Sequence, residues 1–200
     1  MQMVRKLIHL HTLDKEELMF DTSFRITGKH ANYWKDLCEL AGNVPDRDQH
    51  NNFKIFNAYI DAYILCPMIG YQYNRKGVID NTVSGEAGMM ADVFKERRAQ
   101  LKFVYQTLML LDTDSEPDLE KRVYRAFTFA ENTKEEFISD NMKIYNSYFL
   151  GGLEVLHEEF VDQCIDEDSY LKQMFDYVRH FDEEQDGDAL KEGIEKFINK

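Results

Sequence analysis

The sequence predicts an all-α protein, a compact multi-helix bundle with a short extended arm at its N-terminus. Three observations predict this class. The 200 residues include only 3 Pro and 10 Gly, so few residues interrupt regular structure. Apolar residues make up 44% of the chain, which is enough material for a hydrophobic core. Long segments repeat apolar residues at intervals of three and four, the period of an amphipathic helix.

The chain is expected to form one domain in three parts. Residues 1–50 form the N-terminal arm and helices, and residues 51–165 form the helical core. Residues 166–200 are acidic helices packed on the same domain. Within the arm, residues 3–10 are predicted as a short strand or extended segment, and a helix is expected to begin near Ala31.

The most apolar stretch, Ile55–Gly77, is predicted to contain a buried core helix that begins near Asn52 and ends around Tyr73. A membrane span is disfavoured because Asp61 lies within the stretch. A charged Asp at the centre of a spanning helix costs about 2.5–3.5 kcal/mol on insertion scales. Pro67 is expected to kink the helix or to split it in two, because proline lacks the N–H that a helix interior needs.

The second half is expected to hold the remaining helices. Residues 78–88 are predicted as a loop, followed by a long helix from Met90 to Leu111. The next helix is expected to use Ser115 as its N-cap. The pair Gly151-Gly152 is predicted to break or sharply bend the chain. A side chain is also expected to be unfavourable at Gly151 or Gly152, because of either a positive-φ stop or very close packing.

The net charge of −13 is concentrated in the second half of the chain. Residues 1–100 carry 13 acidic and 13 basic side chains, whereas residues 101–200 carry 24 acidic and 11 basic ones. Such a surface repels nucleic acid and anionic membranes, so direct DNA binding is expected to be weak or absent. Three interpretations of the acidic half stay open: a solvated face, a surface for a basic partner, or a surface that mimics DNA.

The sequence favours a cytoplasmic protein without a catalytic, metal or cofactor site. Its three cysteines, Cys38, Cys66 and Cys164, are far apart and odd in number, as expected for free thiols in a reducing compartment. No signal peptide is expected, since the first residues lack a long apolar segment. Residues 182–193 begin like a calcium-binding loop, but Gly193 replaces the bidentate Glu. A non-enzyme is favoured, and an uncharacterised helical enzyme is the remaining class.

One cluster of basic residues is a candidate binding site. Five cations flank the loop at residues 78–89: Arg75, Lys76, Lys95, Arg97 and Arg98. If the two long helices pack antiparallel, all five converge at one end of the bundle. The two interpretations are ordinary surface charge and a small basic patch for a phosphate backbone or an acidic partner.

Two segments taken together resemble a known family. "AYILCPMIGYQYNRKGVI" joins an apolar helix to Gly-Tyr and a basic pair, and "MKIYNSYFLGGLEVLHE" joins an aromatic helix to Gly-Gly-Leu-Glu. In this order they resemble small helical proteins encoded with bacterial DNA phosphorothioation (Dnd-type) modification and restriction systems. The similarity spans about Phe53 to Val161. Its motif positions here are Gly70, Tyr71, Arg75, Lys76, Gly151, Gly152, Leu153 and Glu154.

The resemblance implies an accessory role in DNA modification or anti-phage defence, with no established catalysis. We therefore expect an adaptor that contacts other protein subunits of such a complex. The alternative is a nucleic-acid-binding module that uses the basic residues at positions 75, 76, 97 and 98. The chain departs from the family pattern at Cys66-Pro67, where small residues without proline are usual, and at Asn74, where glycine is expected.

Overall fold

The computed structural model describes residues 20, 22–39, 54–127 and 135–184, with side chains in the last range described for residues 138–180. The described residues are mostly helical, and their strands form only a two-stranded sheet. The all-α prediction is therefore confirmed for this part of the chain. The predicted strand at residues 3–10 and the calcium-loop-like segment beyond residue 184 lie outside the described residues.

Seven α-helices and two short strands are present in the described ranges. The helices are α1 (Lys29–Leu37), α2 (Tyr59–Gln72), α3 (Ala91–Glu96), α4 (Arg98–Leu111), α5 (Leu119–Phe127), α6 (Glu135–His157) and α7 (Glu167–Glu184). The strands are β1 (Phe24–Thr27) and β2 (Glu86–Met89), and a π-helical turn covers Glu158–Asp162. None of these helices combines the length and the apolarity needed to cross a bilayer.

The contacts divide the chain into two compact units, Met1–Val44 with Lys54–His157 and Pro45–Phe53 with Glu158–Lys200. In the described ranges, the first unit contains the sheet and α1 to α6, and the second contains the π-helical turn and α7.

The small sheet was not predicted from the sequence: residues 86–88 of β2 were expected in a loop, and no element was expected at β1. β1 and β2 pair antiparallel, with Phe24 opposite Met89 and Thr27 opposite Glu86. β2 has the sequence EAGM, which contains no β-branched residue, so its local strand preference is low. Ala87 and Met89 alternate inward, and burial of these two side chains provides the gain that the local sequence lacks.

α2 is the central helix of the first unit, and it is buried as predicted. On its inner side Tyr63, Ile60 and Ile69 are 1%, 5% and 6% exposed, whereas Leu65 on the outer side is 48% exposed. It begins at Tyr59, seven residues after the expected start. The preceding segment instead pairs with the end of α1, where Glu39 N–H donates to the Phe56 carbonyl at 2.8 Å.

α2 ends in a Schellman motif, which fixes the direction of the basic pair that follows it. The Arg75 N–H donates to the Gly70 carbonyl at 2.7 Å, and the Asn74 N–H donates to the Tyr71 carbonyl at 3.0 Å. Asn74 takes a φ of 47°, in the left-handed region. Asparagine tolerates this conformation better than most residues, which explains how it can stand where the family resemblance expects glycine.

Three further expectations are corrected in the second half. The long helix after Met90 is two helices, α3 and α4, which meet at Arg97. The N-cap of α5 is Asp118, whose carboxylate accepts the Lys121 N–H at 3.1 Å, and not Ser115. α6 continues through residues 151 and 152 without a break. The broken-helix prediction was therefore wrong, and the alternative of close packing holds instead.

Candidate functional site

The motif glycines lie where α2 crosses α6 at very short range. A Cβ on Gly152 would lie 2.6 Å from the carbonyl carbon of Cys66, and a Cβ on Gly70 would lie 2.9 Å from that of Tyr148. Gly151 meets the backbone of Arg75 in the same way, with 2.6 Å to its carbonyl carbon. Because a side chain at any of these three positions would overlap backbone, glycine is required for the two helices to touch.

Pro67 is accommodated within α2 by a side chain from α6. Proline has no N–H, so the carbonyl four residues earlier, at Tyr63, loses its usual helical donor. The Tyr145 hydroxyl donates to that carbonyl at 2.8 Å, and its own side chain is fully buried. The helix therefore continues as one element through Pro67, so of the two expected outcomes the split does not occur, and the kink stays a prediction.

Next to this crossing, one carboxylate collects three cationic or polar donors. Glu154 Oε1 lies 2.9 Å from His30 Nε2 and 3.0 Å from Lys29 Nζ, and Oε2 lies 2.9 Å from Arg75 Nε. The Glu154 side chain is only 12% exposed. A carboxylate this buried is costly unless it is paired, and here its two oxygens share three donors.

The start of α1 brings two of these donors into place. Lys29 and His30 are the first two residues of α1, directly after Gly28. Gly28 has a φ of 75°, and a Cβ there would lie 2.7 Å from the carbonyl carbon of Asp80. The Lys29 N–H donates to that carbonyl at 3.1 Å. The glycine thus lets α1 start against the segment that follows the basic pair, within reach of α6.

The protonation states follow from the contacts. Burial alone would raise the pKa of Glu154, but the hydrogen bonds from Lys29 and His30 lower it below its ordinary value. The hydrogen bond to Glu154 raises the pKa of Lys29. Burial lowers the pKa of His30 below 6.5, despite its contact with Glu154. At neutral pH the lysine and the carboxylate are therefore charged, while the histidine is neutral.

The tautomer of His30 is fixed by its partner. An ionised carboxylate can only accept hydrogen bonds, so Nε2 must carry the proton that points at Glu154. His30 is 0% exposed, and its Nδ1 has no hydrogen-bond partner among the described residues. The imidazole is consequently held rigidly, with one nitrogen engaged and one buried.

A second buried carboxylate, Asp112, binds Lys76, the other residue of the basic pair. Asp112 Oδ1 accepts from Lys76 Nζ at 3.2 Å, from the Tyr148 hydroxyl at 3.0 Å and from the Ser115 N–H at 3.2 Å. The Lys76 ammonium also lies 4.7 Å from the centre of the Tyr148 ring. Burial raises the pKa of Asp112, but these donors outweigh it and the net direction is downward. Consecutive cations thus bind two different carboxylates, one on α6 and one after α4.

The five basic residues of the predicted patch do not gather at one end. Arg97 lies 3.3 Å from Asp61 at the start of α2, while the Tyr71 hydroxyl near the end of α2 donates to the Leu111 carbonyl at the end of α4. The two helices therefore run in the same direction, and not antiparallel. At 1.5 Å per residue, the first and last turns of α2 are separated by roughly 16 Å. The cations at positions 95, 97 and 98 lie near the start of α2, and those at 75 and 76 lie beyond its end.

Arg75, Lys76 and Glu154 could be identified from the sequence through the family resemblance, but their partners could not. Glu154 and His30 are separated by 124 residues, and Lys76 and Asp112 by 36. A single sequence carries no signal for contacts of this range. A lysine and a histidine at a helix start, or one aspartate in an acidic loop, are common surface patterns.

The chemistry of this arrangement favours holding helices together over reacting. A carboxylate with a lowered pKa and three donors is a weak base. Burial raises the pKa of the nearby Cys66 thiol well above its ordinary value, which makes it a poor nucleophile. In the described part of the chain, no group of three or more His, Cys, Asp or Glu side chains is arranged to hold a metal ion. Comparisons with models of protein families, with curated proteins and with solved structures find no match.

Proposed function

We propose that this protein is a non-enzymatic accessory protein of a bacterial DNA-modification or anti-phage defence system, and that it acts by binding other protein subunits. The system is the one implied by the resemblance of the two motif segments. The observation that best supports an adaptor is that the charged motif residues form ion pairs within the chain. Arg75, Lys76 and Glu154 are engaged in ion pairs within the chain, and these pairs fix the helices around α2.

A rigid helical frame with exposed apolar side chains suits protein–protein contact. Leu119 and Phe127 on α5 are 61% and 54% exposed. They lie about two turns apart on one side of α5, and contiguous exposed apolar surface is typical of sites that meet other proteins. The acidic excess of the second half adds a preference for basic surfaces over nucleic acid.

The alternative function, nucleic-acid binding through the basic residues, is supported by Lys95, Arg97 and Arg98, which are close in sequence and partly or fully exposed. Three phosphate contacts would give a salt dependence with a slope of about −2.7, from 0.9 per contact. Arg97 already pairs with Asp61, and the net charge of −13 opposes DNA at low salt. We therefore expect only weak duplex binding at physiological salt.

Affinity purification of the tagged protein from its native host tests the proposal. We expect proteins encoded by neighbouring modification or restriction genes to co-purify in fixed stoichiometry, also after nuclease treatment. Deletion of the gene should lower DNA modification or phage protection. Tight duplex binding that Arg97→Glu and Arg98→Glu together abolish would instead favour the alternative. Purification without any stoichiometric partner, and a deletion without a defence or modification phenotype, would overturn the proposal.

A further inference from the structure

α7 has an apolar face that is already covered within its own unit. Tyr170 is 7% exposed, and its ring centre lies 6.0 Å from that of Phe160 in the π-helical turn. Tyr177, two turns along, lies 5.3 Å from the same Phe160 ring. The helix begins at a reciprocal cap, in which the Ser169 N–H donates to the Asp166 carboxylate at 2.8 Å. These contacts set which side of α7 faces outward.

The neighbouring face of α7 carries a second row of large apolar side chains that nothing in the described residues covers. Leu171, Phe175 and Val178 are 57%, 66% and 59% exposed. Their spacing of four and three residues places them within about 60° on a helix of 3.6 residues per turn. We call these three residues the α7 stripe. An exposed row at this spacing has the form of the anchor positions by which helices dock against each other.

The net charge of the segment that carries the α7 stripe favours one chemistry for its partner. Residues 158–184 contain ten acidic and two basic side chains, a net charge of −8. Six of the acidic residues are exposed: Glu158, Asp162, Asp166, Glu167, Asp168 and Asp176. A second copy of this chain would bring two such acidic surfaces together, which costs free energy. A basic partner gains attraction at the same place.

We propose that the α7 stripe is the docking surface for a basic amphipathic helix of a partner protein. This inference rests on the proposed adaptor function and names the surface and the partner chemistry for it. The apolar row of the partner helix covers Leu171, Phe175 and Val178. Its flanking lysines or arginines face the exposed acidic residues. The apolar contact provides most of the affinity, and the charges provide orientation and choice of partner.

A model peptide tests the surface in the full-length chain. The probe is a fluorescently labelled synthetic peptide of about 18 leucines and lysines, with the leucines at helical intervals of three and four. Two matched peptides accompany it: one with glutamate in place of every lysine, and one with the same composition scrambled so that no apolar row forms. Binding is measured by fluorescence anisotropy. We expect saturable binding of the first peptide, and at least tenfold weaker binding of the other two.

Matched variants locate the binding surface. Leu171→Ser and Phe175→Ser keep every charge, and both are expected to weaken binding of the leucine–lysine peptide at least tenfold. Phe103→Ser is the control, because Phe103 is equally exposed, at 69%, but belongs to the other unit. It should leave the affinity unchanged. Circular dichroism confirms that each variant is folded.

Three results would overturn the inference. They are equal loss of binding in the Phe103 control, unchanged binding in both stripe variants, or concentration-dependent dimerisation that Phe175→Ser abolishes. The last result would assign the stripe to a second copy. The outcome is separable from that of the proposed function. If the peptides and variants bind as expected but no defence proteins co-purify, the assignment to a defence system is overturned and the docking surface is still supported.

Discussion

Substituting Gly152 by alanine distinguishes helix propensity from tertiary packing, because the two predict opposite signs. In an unconstrained helix interior, alanine is favoured over glycine by about 1 kcal/mol. Here the added Cβ would lie 2.6 Å from the carbonyl carbon of Cys66. Ordinary carbon contacts are about 3.5–4.0 Å, so α2 and α6 must separate by about 1 Å.

That separation has a cost that can be estimated from the contacts at the crossing. A gap of this size forfeits up to about half of each dispersion contact along the interface. It also stretches the 2.8 Å hydrogen bond from Tyr145 to the Tyr63 carbonyl, a loss of about 1 kcal/mol. With overpacking costs of about 1–3 kcal/mol, the total is roughly 2–4 kcal/mol. After the gain in propensity, we expect Gly152→Ala to destabilise the protein by about 1–3 kcal/mol.

Thermal and urea unfolding followed by circular dichroism measure this effect. For a chain of this length, the expected loss corresponds to a fall in Tm of roughly 2–12 °C. Ser139→Ala is the matched control, because Ser139 is exposed on the same helix and should gain slightly in stability. An unchanged or raised Tm for Gly152→Ala would refute the close-packing argument.

Three further expectations follow from the same crossing. Tyr145→Phe should lower the free energy of unfolding by about 1–2 kcal/mol in urea unfolding. The loss should be much smaller in a Pro67→Ala background, because a backbone N–H then reaches the Tyr63 carbonyl again. Equal losses in the two backgrounds would contradict the idea that Tyr145 replaces the donor that Pro67 lacks. Glu154→Gln should lower the free energy of unfolding by about 1–3 kcal/mol. The loss is smaller than for a fully buried pair because two partners of Glu154, Lys29 and Arg75, are about one-third exposed. An unchanged urea midpoint would contradict this. The folded pKa of His30 lies below its ordinary 6.5, so the unfolded chain binds the proton first as the pH falls. The free energy of unfolding therefore decreases as the pH drops below that value. In unfolding curves between about pH 7 and pH 5, His30→Gln should flatten this decrease.

The helical class and the burial of α2 could be predicted from the sequence because both depend on short-range patterns. Apolar residues at helical spacing identify a helix and its buried side, and Ile60 and Tyr63 are buried accordingly. β2 could not be predicted, since the sequence EAGM becomes a strand only by pairing with residues about 60 positions earlier. The parallel direction of α2 and α4 likewise depends on packing. The five cations were expected to gather only if the two helices were antiparallel, so that expectation was wrong as well.

The glycine pair shows why the same residues support two opposite local predictions. By local rules, Gly151-Gly152 ends a helix. In the folded chain the pair instead lets α6 touch the backbone of Arg75 and Cys66, and the packing keeps the helix continuous. The information that decides between the two lies in α2, about 80 residues away.

The positions of the motif residues in the fold also limit what can be inferred from a sequence resemblance. Gly70 and Gly152 are required by the approach of two backbones, and Arg75 and Glu154 by the burial of a charge. Any chain that forms this crossing needs residues of these types, whatever the protein binds. Similarity at these positions therefore supports a shared frame more directly than a shared partner. The residues that choose a partner must be sought on exposed faces outside the motif segments, and the α7 stripe is such a face, beyond the span of the resemblance.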